Sequence, residues 1–399
     1  MIGRALRARA CALLLASVTA CGGGGGSAGA PPATAAPQPT PTSTPGLSPG
    51  AAAYLNLSLS PLANYANPSL PAYYGPAAAQ DNTPAGNPVT DAGATLGRVL
   101  FWDKRLSVNN TIACASCHVQ ADGFTSNTPF STGFLGGLTS FHAMRLANVR
   151  YYQAGTMFWD KSAASVEAQV ISPIQNSVEM GWDGSNGGLA ALEAKMATLP
   201  YYPELFAFVY GDPSITTTRV ENAVAQFERS IIASNSRWDQ GYALVYNPNG
   251  PDANLDVDIP TFTAQENRGR HLFMAAPAAG GVGCASCHQP PTFALIPQAL
   301  SNGLDAGETT VFKAPSLKNI GVTGPYMHDG RFATLAQVVE HYNSGIQPGP
   351  SLDPRLQRNG QPVRLNLSAD DEAAIVAFLM TLDDQSAQTD PRFADPFKH

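Results

Sequence analysis

The sequence predicts a mainly α protein of two similar halves, with long loops between its helices. Three observations predict it. The pentapeptide Cys-Ala-Ser-Cys-His occurs twice, at Cys114–His118 and at Cys284–His288. Each copy follows a related stretch, Leu96-Gly97-Arg98-Val99-Leu100-Phe101 and Arg268-Gly269-Arg270-His271-Leu272-Phe273. Alternation with a period of two is scarce, while 37 glycines and 33 prolines supply the breaks that long loops need.

At the start of the chain, Arg4, Arg7 and Arg9 precede an apolar run from Ala10 to Val18. That run is too short to span a bilayer as a helix. It ends in Val18-Thr19-Ala20-Cys21, which resembles a bacterial lipobox. Residues 1–20 are therefore expected to be a signal peptide with Cys21 acylated. This predicts a periplasmic protein touching a membrane only through a lipid anchor; an ordinary cleaved signal is the alternative. Residues 21–87 read as a tether and arm. Gly22 to Gly26 and the Pro/Ala/Thr/Ser-rich stretch to Pro49 hold too little apolar surface to offset chain entropy. Tyr54 to Tyr74 lacks periodicity and reads equally as an arm packed on the body or as more tether.

The body carries several helical signatures. One helix precedes Cys114. A second begins near Thr218 and lines Val220, Val224, Phe227 and Ile231 along one side. Thr263-x-x-Glu266 is a capping box opening the helix that leads to Cys284. Thr334 with Gln337 opens another, whose face holds Leu335, Val338, Val339 and Tyr342. Ser368-Ala369-Asp370-Asp371 caps a last helix with Ile375, Phe378, Leu379 and Leu382 at i, i+3, i+4 and i+7.

Cys-x-x-Cys-His is the attachment sequence for c-type haem: the thiols add to the haem vinyl groups and the histidine becomes the proximal iron ligand. A zinc ribbon would set its two knuckles about 15–20 residues apart, far closer than Cys117 and Cys284. A thioredoxin-like pair would need a βαβ setting, and structural disulfides give no reason for a histidine after each second cysteine. Two covalently bound haem c groups follow, one on Cys114, Cys117 and His118, the other on Cys284, Cys287 and His288. The fold class is thus mainly α, two cytochrome c-like haem domains with long loops, over residues 88–250 and 258–385. The formal charge of −7 at pH 7 argues against nucleic acid and suits either a basic redox partner or simple solubility.

Further motifs connect these pieces. They are Leu96-Gly-Arg-Val-Leu-Phe-Trp-Asp-Lys-Arg-Leu-Ser107, Phe158-Trp159-Asp160, Pro173-Ile-Gln-Asn-Ser-Val-Glu-Met-Gly181, Pro315-Ser-Leu-Lys-Asn319 and Thr323-Gly-Pro-Tyr-Met-His-Asp-Gly330. With the two haem motifs, they resemble the bacterial di-haem cytochrome c peroxidases and their MauG-like relatives from Leu96 to Leu382. The resemblance implies a peroxidatic N-terminal haem and an electron-relaying C-terminal one. It implies Glu179 as the acid–base group over the peroxide, Gln169 as its hydrogen-bonding neighbour, Pro173 beside the open iron face and Trp159 between the haems. Gln169 is also read as a polar residue on a helix, and Trp159 as a core aromatic.

The resemblance also sets the outer ligands. In one branch a loop histidine blocks the first haem; the matching residue here is Phe134, which cannot bind iron, so that haem is expected to be open without a reductive activation step. His142 lies nearby but out of register. Tyr342 matches the tyrosine that MauG-like proteins place on the second haem iron; His341, Met327 and His328 compete for that role, and Tyr342 also reads as plain core. His271 reads as structural. A calcium ion is implied at the carbonyls of Thr323 and Pro325, with His142 where an asparagine donor belongs. Three functions follow for comparison. The first is a peroxidase reducing hydrogen peroxide with electrons from a small periplasmic cytochrome c or cupredoxin. The second is a MauG-like oxidase of a protein or organic substrate, and the third a di-haem electron carrier. The Gln169, Pro173 and Glu179 set favours the first two over the third. Family members often form homodimers.

Overall fold

The two related stretches both become helices, and each packs against the closing helix of its own half. The helices that frame the two halves are, in chain order, α1 (Asp91–Trp102), α2 (Val166–Gln175), α3 (Thr217–Ser230), α4 (Arg237–Val245), α5 (Ala264–Met274), α6 (Leu335–Glu340) and α7 (Ala369–Met380). The computed structural model describes residues 46–399. The expected signal peptide, Cys21 and the glycine-rich start of the tether lie outside the described residues. Among the described residues no helix is long and apolar enough to cross a membrane.

Side chains at the helix starts take up free backbone N–H groups, as the sequence predicts. Thr263 with Glu266 and Thr334 with Gln337 form full capping boxes, and Ser368 accepts from Asp371 N. Strand is confined to short pairs: β1 (His288–Gln289) lies antiparallel to β2 (Ala294–Leu295), with His288 opposite Leu295. A second two-residue pair joins Gln357–Arg358 to Gln361–Pro362.

The internal repeat is structural as well as sequential. A Cβ at Gly97 would overlap the carbonyl of Ala223 on α3, and one at Gly269 would overlap that of Ala374 on α7. Glycine at the same repeat position lets α1 and α5 each lie directly on the backbone of a closing helix. The aromatic packing repeats too: Phe101 meets Phe227 at 5.1 Å between ring centroids, and Phe273 meets Phe378 at 5.2 Å. A second repeat was not seen in the sequence. Phe158 and Met327 both have left-handed backbones (φ 65° and 74°), each inside a small loop closed by a bridge, Met157 to Ala163 and Tyr326 to Phe332.

Three features depart from or extend the sequence reading. The segment after residue 46 is an arm and not tether: Leu55, Leu59, Tyr65, Tyr73 and Tyr74 are all buried. The tail beyond 385 returns to the first half, where Trp102 Nε1 donates to Phe393 O at 2.9 Å and Phe393 packs with Phe124 and Phe227. Trp238 and Tyr242 of α4, which the expected boundary puts with the first half, belong to the core of the second, beside Phe293, Phe378 and the arm's Tyr73. Under them Lys318 and Asp239 form a fully buried ion pair at 2.6 Å.

Candidate functional site

Each Cys-Ala-Ser-Cys-His segment is held on a short helical turn, Cys114–Cys117 in the first half and Cys284–Ser286 in the second. All four thiols are free. Burial pushes each of them up, so they stand as protonated thiols in apolar surroundings.

The adjacent histidines are fixed differently. His118 directs Nδ1 to the carbonyl of Phe124 at 3.1 Å. Phe124 takes a left-handed backbone (φ 62°) just before the Val119–Thr125 bridge closes that loop. His288 sits at the start of β1, and its Nδ1 is buried without a hydrogen-bond partner. Burial holds both rings down to about 4, with nearby Arg145 adding to the effect at His288. Both are therefore neutral imidazoles, the form that binds metal. Two free thiols and a neutral imidazole at each motif fit a c-type haem.

Around the first motif, α2 begins at Ser165, whose hydroxyl accepts from Ala168 N. Gln169 and Pro173 lie one turn apart on this helix and share a face, both half-buried. After the helix, Asn176 Oδ1 accepts from Val178 N at 2.8 Å and Glu179 N at 3.2 Å. That turn leaves the Glu179 carboxyl near enough to Cys114 and Cys117 to add, after burial, to the rise of both thiols. Among the described residues the Glu179 carboxyl has no charged or hydrogen-bonding partner, and burial alone pushes its pKa up. Phe134 N donates to Glu179 O at 3.0 Å, and the Phe134 ring fills the space that a side chain at Gly181 would need. Position 134 thus presents a wedged hydrocarbon ring and no donor atom.

Trp159 is tied to both halves. Its Nε1 donates to His142 O at 2.7 Å, and its own carbonyl accepts from Lys313 N at 2.7 Å. His142 is buried, with one ring nitrogen 3.2 Å from Thr125 Oγ1 and the other 3.1 Å from Thr128 O. Neither nitrogen is left to reach a haem. At the expected calcium position, the Arg145 guanidinium donates to Thr323 Oγ1 at 3.0 Å. A fixed positive charge there competes with a divalent cation between Thr323 and Pro325.

Around the second motif, α6 ends at Glu340 and the chain opens into a π-turn, His341–Gly345. The sequence had placed Tyr342 on the regular helical face with Leu335; the wider turn instead carries its phenol into the pocket of Cys284 and Cys287. Burial pushes the phenol up to about 12, and both thiols contribute to the rise. Asn302, which no sequence signal picks out, gathers the rival donors. Its Nδ2 lies 3.5 Å from Tyr342 Oη and 3.6 Å from Met327 Sδ, and its carbonyl is 3.1 Å from His341 Nε2. His328 is stacked on Phe312 at 3.8 Å. His271 pairs with Asp256 at the surface at 2.9 Å, the structural role expected of it.

A family model described as di-haem cytochrome c peroxidase matches residues 91–244. A cytochrome c551 peroxidase of Nitrosomonas europaea is 31% identical over 72% of this chain and 79% of its own. The methylamine utilization protein MauG of Methylorubrum extorquens is 30% identical over 75% of this chain and 80% of its own. The crystal structure of a MauG-like protein associated with microbial copper homeostasis superposes with a TM-score of 0.67 at 29% identity, covering 83% of this chain and 99% of that one. The fold, the paired cysteine motifs and these likenesses agree: the chain belongs to the di-haem cytochrome c peroxidase family.

Proposed function

We propose that this protein is a di-haem c-type peroxidase that reduces hydrogen peroxide to water with electrons from a small redox protein. The observation that carries the reading is the Glu179 carboxyl, half-buried near Cys114 and Cys117 and unpaired among the described residues. The haems, held by Cys114, Cys117 and His118 and by Cys284, Cys287 and His288, would supply the redox-active iron. The remaining chemistry belongs to the chain. Cleaving hydrogen peroxide to two waters consumes two protons and two electrons, and the peroxide itself carries one proton that must move from one oxygen to the other. Glu179, as carboxylate, takes the proton from the near oxygen; as carboxylic acid, it returns it to the leaving oxygen. Gln169 orients the peroxide, Pro173 narrows the approach, and Phe134 keeps donor atoms away from the open side. Trp159 bridges the halves along the way electrons travel.

In this reading residues 88–250 form the peroxidatic half and residues 258–385 the half that accepts electrons. An export signal over residues 1–20 with Cys21 acylated would put the protein in the periplasm on a lipid anchor. Glu179→Gln tests the central claim. Peroxide turnover should fall by about 10²–10⁴-fold, while the intact mass still shows two attached haems. An unchanged rate removes Glu179 from the chemistry.

One observation favours a second reading. Tyr342 beside the Cys284–Cys287 motif would give the second haem, once iron displaces its phenol proton, a hard anionic donor, a design suited to a MauG-like oxidase acting on a protein or organic substrate. Steady-state turnover with a reduced small cytochrome separates the two: rapid donor oxidation supports the peroxidase, and its absence the oxidase.

A further inference from the structure

Two cations in the interior lack an ion-pair partner among the described residues. Arg145 donates from Nε to Ser316 O at 2.9 Å and from Nη1 to Thr323 Oγ1 at 3.0 Å, both neutral acceptors. Lys313, only 3% exposed, has its ammonium 3.3 Å from Met157 Sδ, 3.5 Å from Thr156 O and 4.5 Å from the centre of the Tyr152 ring. Among the described residues neither has a carboxylate within 4.0 Å. Unpaired charge in such surroundings costs several kcal/mol (~) unless an anion joins it.

The two cations line one small, partly open cavity of about 10 Å³ at the junction of the halves. Arg145, Asn148 and Tyr152 line it from the first half, and Leu295, Lys313 and Ser316 from the second. Leu295 lies opposite His288 in the β1–β2 pair, and Ser316 Oγ donates to Thr292 O in the same hairpin at 2.5 Å. The cavity therefore adjoins the loop that presents the second proximal histidine. Its volume takes roughly one water-sized group, which suits the tip of an anionic arm and not a free phosphate.

We propose that Arg145 and Lys313 form the seat for a carboxylate arm of the second haem, a propionate, where the two halves meet. This rests on the reading of the cysteine motifs as haem sites. A guanidinium cannot escape its charge by losing a proton: burial lowers Arg145 only to about 10. Lys313 is pushed down to about 7 by burial and by Lys161, so without an anion it would be half neutral. The acid acting on Lys313, Glu228, is itself raised to about 8 by burial and is largely protonated, and the acid acting on Arg145, Asp383, is raised to about 6 by burial. Asp383 thus offsets Arg145 only in part and Lys313 is left without an ionised partner among the described residues, whereas each haem carries two carboxylates.

The test uses the full holoprotein with isotopically labelled propionate carboxyls, in wild type and in Arg145→Met and Lys313→Met. Intact mass first reports whether two haems are attached; their absence defeats the haem reading itself. With both attached, the labelled carboxylate stretching band should shift in each variant, and the midpoint potential of one haem should fall while the other holds. Arg145→Lys and Lys313→Arg should bring both readouts back toward wild type. If a methionine variant does not fold, Arg145→Gln or Lys313→Gln removes the charge and keeps a donor. Labelled bands and potentials that coincide with wild type in variants at both positions would overturn the proposal.

Discussion

At the residue scale the first site turns on one carboxyl. Glu179 must be ionised to accept a proton, and burial raises its pKa above the ordinary value of about 4.3. The rate should therefore climb with pH through that raised value, so that the acid limb of the profile lies above where a solvent-exposed glutamate would put it. Glu179→Gln should flatten this limb as well as lower the rate; a limb that survives in the variant belongs to another group. At the second site, Tyr342→Phe should change the spectrum of one haem and raise its potential, because a phenolate favours ferric iron. Identical spectra would show that Tyr342 is core and nothing more. The sequence makes these residues legible because their signals are local: two cysteines and a histidine within five positions, and Gln169, Pro173 and Glu179 within eleven. Arg145, Asn302 and Lys313 were invisible for the opposite reason. Arg145 meets Ser316 and Thr323 across 171 and 178 positions, a distance over which a single sequence carries no pattern.

At the element scale, helix starts were readable wherever a side chain caps its own backbone, as Thr263, Thr334 and Ser368 do. How a helix ends was harder. The π-turn at His341–Gly345 has no local signature, so Tyr342 was assigned to a regular face it does not occupy. The paired glycines lie between these cases: the repeat shows Gly97 and Gly269 in register, but only the packing gives the reason. Gly97→Ala should force α1 off α3, and Gly269→Ala should force α5 off α7, because each new methyl meets backbone and cannot be turned aside. Overpacking of this kind costs roughly 1–3 kcal/mol. Urea unfolding should show a comparable loss from either substitution. A loss at Gly97 alone would mean that the two halves do not share the packing that their repeat suggests.

At the scale of the whole molecule, the arm ahead of α1 packs on both halves and the tail after α7 returns to the first. Neither was legible, since Tyr65, Tyr73, Tyr74 and Phe393 fall in stretches without periodicity and acquire meaning only where they land. One side chain links arm, α2 and α3. Arg229 on α3, 1% exposed, grips Glu167 of α2 with two N–H groups at 2.5 and 3.0 Å, and its Nε donates to Asn82 of the arm at 2.9 Å. Burial alone would raise the Glu167 pKa, but hydrogen bonds from Arg229 and Asn87 outweigh it and hold the group at about 2. A carboxyl lowered on folding stabilises the fold above its unfolded pKa of about 4.3, and that contribution drains away as pH falls toward about 2. Unfolding measured at about pH 7 and about pH 3 should show the parent losing stability on acidification. Glu167→Gln should cost about 3 kcal/mol at neutral pH, since it strands a buried guanidinium, and should then lose less than the parent across the same acid window. Equal acid losses in the two proteins would assign the linkage to other carboxyls and leave the Arg229 junction as packing without charge.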